Sequence, residues 1–91
     1  MSGRGFTPPP ELVGAYLAKL QDRVEELTRL EQSGDRSGVI ELCHRLAGSA
    51  GLYGLPELGS AAAGAETAVR QGMVLDQALR PLREAIAAAG P

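Results

Sequence analysis

Apolar residues recur at spacings of three and four in four consecutive segments of the chain. This spacing places the apolar side chains of each segment along one face of an α-helix. The predicted core positions, helix by helix, are Val13, Leu17, Leu20, Val24 and Leu27; Val39, Leu42, Cys43, Leu46, Ala50 and Tyr53; Leu55, Leu58, Ala62, Ala65 and Val69; and Leu75, Leu79, Leu82, Ile86 and Ala89. Four amphipathic helices with short connections predict an all-α fold, an antiparallel four-helix bundle with up-down-up-down topology over residues 11–90.

Residues that start or stop helices lie between these segments. Asp35 is predicted to cap the N-terminus of the second helix, and Pro56 suits the first turn of the third. Pro81 falls inside the fourth helix, where its missing N–H predicts a kink or a break, and we expect the helix to be bent there. The predicted helix ends are Ser33-Gly34, Tyr53-Gly54 and Gly72.

Residues 1–10 contain two glycines and three consecutive prolines. This composition predicts a flexible N-terminal arm ahead of the bundle, with Phe6 as a candidate anchor. The first helix is then expected to begin at about Glu11.

Composition narrows the possible functions. The chain has no Trp, one Phe and two Tyr, so its core must be aliphatic. A net charge of −2 leaves no excess of basic residues to neutralise a nucleic-acid backbone. The longest uncharged run, residues 46–56, is too short and too rich in glycine to cross a membrane. We therefore expect neither nucleic acid nor membrane among the partners.

Cys43 is the only cysteine, and it falls on the apolar stripe of the second helix. It has no second cysteine to form a disulfide with inside the chain, and one histidine is too few to complete a zinc site. We interpret Cys43 as a small buried hydrophobe in a cytoplasmic protein. Tyr16, Tyr53 and Ser49 are likewise expected to have structural roles.

His44 is the only histidine in the chain. At about 100° per residue, it points about 140° away from the apolar stripe of its helix, so we expect the ring in solvent. One turn later, Gly48 has no side chain that would cover the ring. Glycine inside a helix costs about 1 kcal/mol relative to alanine. We interpret Gly48, together with Gly51, as keeping access to His44 open; the alternatives are close helix packing or helix termination.

The residues after His44 form a specific pattern, HRLAGSAGLYG over positions 44–54, with Leu58 four residues further on. This stretch resembles the histidine-containing phosphotransfer (HPt) domain family, whose usual pattern is H-x-L-K-G-S-A-x-x-x-G followed by a leucine. Every fixed position matches except Ala47, where the family most often has lysine. The resemblance implies a four-helix bundle that carries a phosphoryl group on His44.

The resemblance also implies roles for residues on the third helix. In similar proteins, a carboxylate at the position of Glu66 hydrogen-bonds the ring nitrogen that is not phosphorylated, which would leave Nε2 free to attack. Glu41, one turn before His44, competes for the same contact. With no lysine at position 47, Arg70 is the candidate for balancing the phosphoryl charge. Arg45 points about 100° away from His44 and suits this role less well.

The partners implied by the resemblance are receiver domains of response regulators, with a hybrid histidine kinase as a further candidate. The phosphoryl group would move between their aspartates through His44, with Mg²⁺ bound by the receiver. The chain itself is expected to bind no cofactor, to lack ATP-dependent kinase activity and to be a monomer. The predicted docking residues around His44 are Ile40, Glu41, Arg45, Ala47, Gly51 and Leu55.

Two other functions compete with phosphotransfer. The first is an interaction-only bundle that docks receiver domains without transfer, and Ala47 is the residue in its favour. The second is a metal or haem site at His44, which a single exposed histidine without neighbouring ligands makes less favourable.

Overall fold

A computed structural model describes residues 8–89 of the chain, and helices make up nearly all of this part. The helices are α1 (Pro10–Ser33), α2 (Arg36–Leu52), α3 (Pro56–Arg70) and α4 (Leu75–Ala89). No strand occurs among these residues, so the predicted all-α class is confirmed. Pro10 already belongs to α1, whereas Phe6 and its predicted anchoring role lie outside the described residues.

The predicted helix boundaries are confirmed to within one or two residues. Asp35 caps α2, since its Oδ1 accepts a hydrogen bond of 2.9 Å from the N–H of Gly38. Pro56 occupies the first turn of α3, where no N–H is needed. Gly34 follows α1 with φ 71°, a left-handed conformation that favours glycine, and its N–H donates to the carbonyl of Glu31.

Pro81 lies inside α4, yet α4 is a single helix from Leu75 to Ala89. The break that the sequence allowed therefore does not occur. Pro81 has no N–H to donate to the carbonyl of Gln77, four residues earlier. Both residues are exposed. The missing hydrogen bond thus falls on the side of α4 where water is available, while packing holds the opposite side.

Contacts between helices establish the antiparallel order. Near the start of α1, the hydroxyl of Tyr16 lies 2.7 Å from that of Ser49, near the end of α2. At the start of α2, Nη2 of Arg36 donates to the carbonyl of Val69 in the last turn of α3, at 2.8 Å. Arg83 of α4 contacts Glu31 of α1, with 2.7 Å between Nη2 and Oε1, and Ala89 at the end of α4 lines the same cavity as Pro56 at the start of α3. The helices therefore alternate in direction around one core.

The core is aliphatic, and no polar or charged side chain is buried within residues 8–89. The largest side chains that are almost completely buried are Leu20, Leu27, Leu42, Leu79 and Leu82. Replacing one such leucine with alanine typically costs 2–5 kcal/mol, so these side chains make the main contribution to stability.

Several predicted core positions are only half-buried. Val13, Leu17 and Val24 lie on α1, where only Leu20 and Leu27 are fully buried. The remaining half-buried positions lie at or just beyond helix ends: Tyr53, Leu55 and Ala89. Periodicity thus identified the inward face and overestimated how far the core extends along it.

The two tyrosines lie at the rim of the core, as predicted. Their rings stack with centroids 4.4 Å apart and planes 11° from parallel. The hydroxyl contact between Tyr16 and Ser49 then joins α1 to α2. The predicted structural role of Ser49 is therefore confirmed.

Helix α3 lies close to α2 at Gly59, which is buried. A Cβ added at Gly59 would lie 3.3 Å from the carbonyl oxygen of Ala47 and 3.7 Å from Cβ of Ala50. A backbone oxygen inside a helix cannot easily move away, so glycine at this position allows the helices to come together. Gly64, on the same helix, has no neighbouring atom within 4 Å of an added Cβ.

These two glycines give a matched test of the packing. We expect Gly64→Ala to stabilise the protein by about 0.5–1 kcal/mol, because alanine is the better helix former and meets no neighbour. Gly59→Ala should show no such gain, or a loss, because the new methyl group presses on Ala47. Urea unfolding followed by circular dichroism measures both free energies of unfolding. Equal stabilisation by the two substitutions would contradict the close approach.

Candidate functional site

His44 lies in the middle of α2 on the face opposite the core, and 75% of its side chain is exposed. Its neighbours Cys43 and Leu46 are buried on the other side of the helix. The predicted exposure of the ring is therefore confirmed. The bundle holds the helix through its apolar stripe and presents the imidazole to solvent.

Glu66 of α3 contacts the ring. Its Oε1 lies 3.1 Å from Nδ1 of His44, and its side chain is only 15% exposed. Glu41, the competing carboxylate, is exposed and makes no side-chain hydrogen bond within residues 8–89. Of the two carboxylates that the sequence offered, the antiparallel packing of α2 and α3 places Glu66 at His44.

The protonation state of Glu66 decides which nitrogen of the ring is available. Partial burial acts to raise the pKa of Glu66, but hydrogen bonds from His44 and Arg70 outweigh it and lower the pKa below its ordinary value. At neutral pH the carboxylate is therefore ionised and can only accept a hydrogen bond. The proton of the neutral ring must then be on Nδ1, which leaves the lone pair on Nε2.

Arg70, the predicted balance for phosphoryl charge, is bound to Glu66. Its Nε and Nη2 lie 3.1 Å and 3.0 Å from Oε2, the carboxylate oxygen that does not contact His44. This pairing was not predicted from the sequence, although Glu66 and Arg70 are four residues apart on one helix, a spacing typical of ion pairs. The three side chains form a chain of contacts from Arg70 through Glu66 to His44.

The glycines beside His44 border open space. A Cβ added at Gly48 or Gly51 would meet no atom within 4 Å. Close packing therefore does not explain either residue, in contrast to Gly59. Helix termination does not explain Gly48 either, because α2 continues to Leu52. A longer side chain at position 48 has room to extend, including toward the ring one turn earlier.

The predicted docking residues are spread over both flanks of His44. Ile40, Ala47 and Leu55 are half-buried and pack against the core. Glu41, Arg45 and Gly51 are exposed. Nη2 of Arg45 lies 3.8 Å from Oε2 of Glu26 on α1, so its guanidinium is directed toward α1.

Cys43 directly precedes His44 in the sequence, but its side chain is buried and faces the core. Burial, with a smaller contribution from the charge of Glu66, raises the pKa of its thiol to about 11. The thiol therefore stays protonated at neutral pH and is a poor nucleophile. The interpretation of Cys43 as a buried hydrophobe is confirmed.

Within residues 8–89, no cluster of three or more His, Cys, Asp or Glu side chains is placed to hold a metal ion. No helix in that range is long and apolar enough to cross a membrane.

The geometry around His44 agrees with a comparison of sequences. The sequence profile of the Hpt domain matches residues 11–90, which include almost all of the four helices. The chain belongs to the Hpt domain family. Comparison with curated proteins and with solved structures finds no match. Hpt domains act in histidine phosphotransfer in two-component phosphorelays and generally interact with receiver domains and kinases.

Within this Hpt domain, the contact between Glu66 and His44 is expected to hold the Nδ1–H tautomer. Glu66→Ala should lower the population of that tautomer, because the ring loses its acceptor at Nδ1. The ¹⁵N chemical shifts of the ring, measured above pH 8, report the tautomer directly. Glu41→Ala is the matched control and should leave the shifts unchanged. A tautomer insensitive to Glu66→Ala would remove its orienting role.

Proposed function

We propose that His44 of this Hpt domain accepts a phosphoryl group from the aspartyl phosphate of one receiver domain and passes it to the aspartate of another. The supporting observation is the state of the ring. Nδ1 is held by Glu66, Nε2 has no hydrogen-bond partner within residues 8–89, and an added Cβ at Gly48 would meet only open space. The nucleophilic atom is thus oriented and accessible at the same time.

Transfer to His44 requires one bond to form and one to break. The lone pair of Nε2 attacks phosphorus while the bond from phosphorus to the aspartyl oxygen breaks, and the aspartate leaves as a carboxylate. Nδ1 keeps its proton, so the ring becomes a phosphorylated imidazolium. The carboxylate of Glu66 lies 3.1 Å from that N–H and stabilises its positive charge.

The second transfer reverses this chemistry. An aspartate oxygen of the next receiver attacks phosphorus, the bond between phosphorus and Nε2 breaks, and the imidazole leaves in neutral form. No proton has to enter or leave the ring in either direction. A carrier of this kind needs alignment and charge balance rather than a general acid or base.

Charge balance on the phosphoryl group depends largely on the partner. Ala47 supplies no ammonium group where the family most often has lysine. In our proposal the receiver's bound Mg²⁺ supplies the missing positive charge. This chain then contributes the nucleophile and its orientation, and no cofactor of its own.

The surface around His44 is the proposed docking site for receivers. Half-buried Ile40, Ala47 and Leu55 offer apolar contact area, while exposed Glu41 and Arg45 offer charges at its edge. Transient signalling interfaces bury less than about 1,200 Å², and a small patch of this type suits a partner that must leave after transfer. A cytoplasmic setting, where such receivers act, agrees with the reduced, buried Cys43.

Ala47 also supports a second candidate function, an interaction-only bundle that docks receivers without accepting phosphate. Both candidates use the docking surface. They differ in whether His44 becomes phosphorylated, which can be measured.

The first test uses a receiver phosphorylated in advance on its aspartate with ³²P. The wild-type chain should acquire label that is labile in acid and stable in alkali, the signature of a phosphoramidate. His44→Gln should acquire none while still binding the receiver, because only the nucleophile is lost. Binding by the wild-type chain without any label, across the receivers of the same organism, would favour the interaction-only bundle.

The second test addresses access to the ring. Gly48→Gln should leave the free energy of unfolding unchanged or raise it by up to about 1 kcal/mol, because glutamine is a better helix former. The same variant should transfer phosphate at least about tenfold more slowly, equivalent to about 1.4 kcal/mol in the barrier, because its side chain can cover His44. Gly64→Gln, at the other open glycine, should gain stability and keep its transfer rate. Equal rates for the two variants would refute the access role of Gly48.

A further inference from the structure

The two arginines considered for balancing phosphoryl charge near His44 each lie against a carboxylate. Nη2 of Arg45 lies 3.8 Å from Oε2 of Glu26, whereas Arg70 donates a hydrogen bond from Nε to Oε2 of Glu66 and has its Nη2 3.0 Å from the same oxygen. Arg70 makes the shorter and better-defined contact. Its guanidinium is directed at the carboxylate of Glu66.

We propose that Arg70 is a positioning residue that acts on phosphotransfer through Glu66, and not a ligand of the phosphoryl group. The inference rests on the proposed function of His44 and deepens it. Arg70 holds the carboxylate of Glu66 in place, and this carboxylate in turn orients the ring of His44.

The division of the carboxylate between its two neighbours supports this assignment. Nε and Nη2 of Arg70 both contact Oε2, so Oε1 remains for Nδ1 of His44. Rotation of the carboxylate would lengthen the contacts on both sides. Helical side chains lean toward the N-terminus, so Arg70 naturally reaches back one turn to Glu66.

Electrostatics support the same assignment. A bare carboxylate beside His44 would orient the ring but would also repel an approaching phosphoryl group. The guanidinium of Arg70 is within 3.0 Å of Glu66 and offsets that negative charge. Glu66 can then accept from Nδ1 while presenting little net charge to the partner.

The first experiment measures the ring before any phosphate is present. Arg70→Met removes the donors but keeps an unbranched side chain, and Arg80→Met is the matched control. Arg80 forms a similar exposed ion pair with Asp76, four residues earlier on α4, with 2.9 Å between Nη2 and Oδ2. We expect Arg70→Met to lower the Nδ1–H tautomer population in ¹⁵N spectra and Arg80→Met to leave it unchanged. An unchanged tautomer in Arg70→Met would overturn the proposal.

The second experiment is a double-mutant cycle on transfer from a phosphorylated receiver, using Glu66→Ala, Arg70→Met and the double variant. Arg70→Met alone should slow transfer by about threefold to tenfold, the size expected for one lost hydrogen bond. In the Glu66→Ala background it should have no further effect. An equal slowing in both backgrounds would mean that Arg70 contacts the phosphoryl group itself, and would overturn the proposal.

The two readouts separate this inference from the proposed function. If the wild-type chain accepted no phosphate, the proposed function would be wrong, and Arg70 could have no effect on the rate of transfer. The tautomer measurement would still show whether Arg70 positions the ring through Glu66.

Discussion

At Gly59 the backbone of α3 lies so near α2 that an added Cβ would be 3.3 Å from the carbonyl oxygen of Ala47. This approach sets the separation and the register of the two helices. Seven residues further along α3, Glu66 then lies opposite His44 with its Oε1 3.1 Å from Nδ1. A bulkier residue at position 59 would press the helices apart and separate His44 from the carboxylate that contacts its ring.

The site combines an exposed imidazole with a largely covered carboxylate. His44 is 75% exposed and Glu66 is 15% exposed, although the two are in contact. The ring is therefore open to solvent, while the carboxylate is held by its own helix and by Arg70. Leucines on the inner faces stabilise the bundle, so the outer face of α2 is free to carry Gly48, which adds nothing to packing.

Several features could be predicted from local sequence because their causes are local. Asp35 caps α2 and Pro56 begins α3 because each side chain fits the first turn of a helix. At Pro81 a local signal left two outcomes open, a kink or a division of the helix. Its ring removes one hydrogen bond, but packing along α4 keeps the helix continuous, and a sequence pattern does not contain the strength of that packing.

The amino-acid sequence by itself determined four amphipathic helices, the exposure of His44 opposite the apolar stripe, and the pattern that resembles the HPt family. Each of these depends on residues within a few turns of one another. Only the tertiary structure decided that Glu66 and not Glu41 contacts His44, and that Gly59 serves close packing whereas Gly48 does not. The physical reason is register. The periodicity of a helix shows which face turns inward, but the distance and offset between two helices come from how their surfaces fit together.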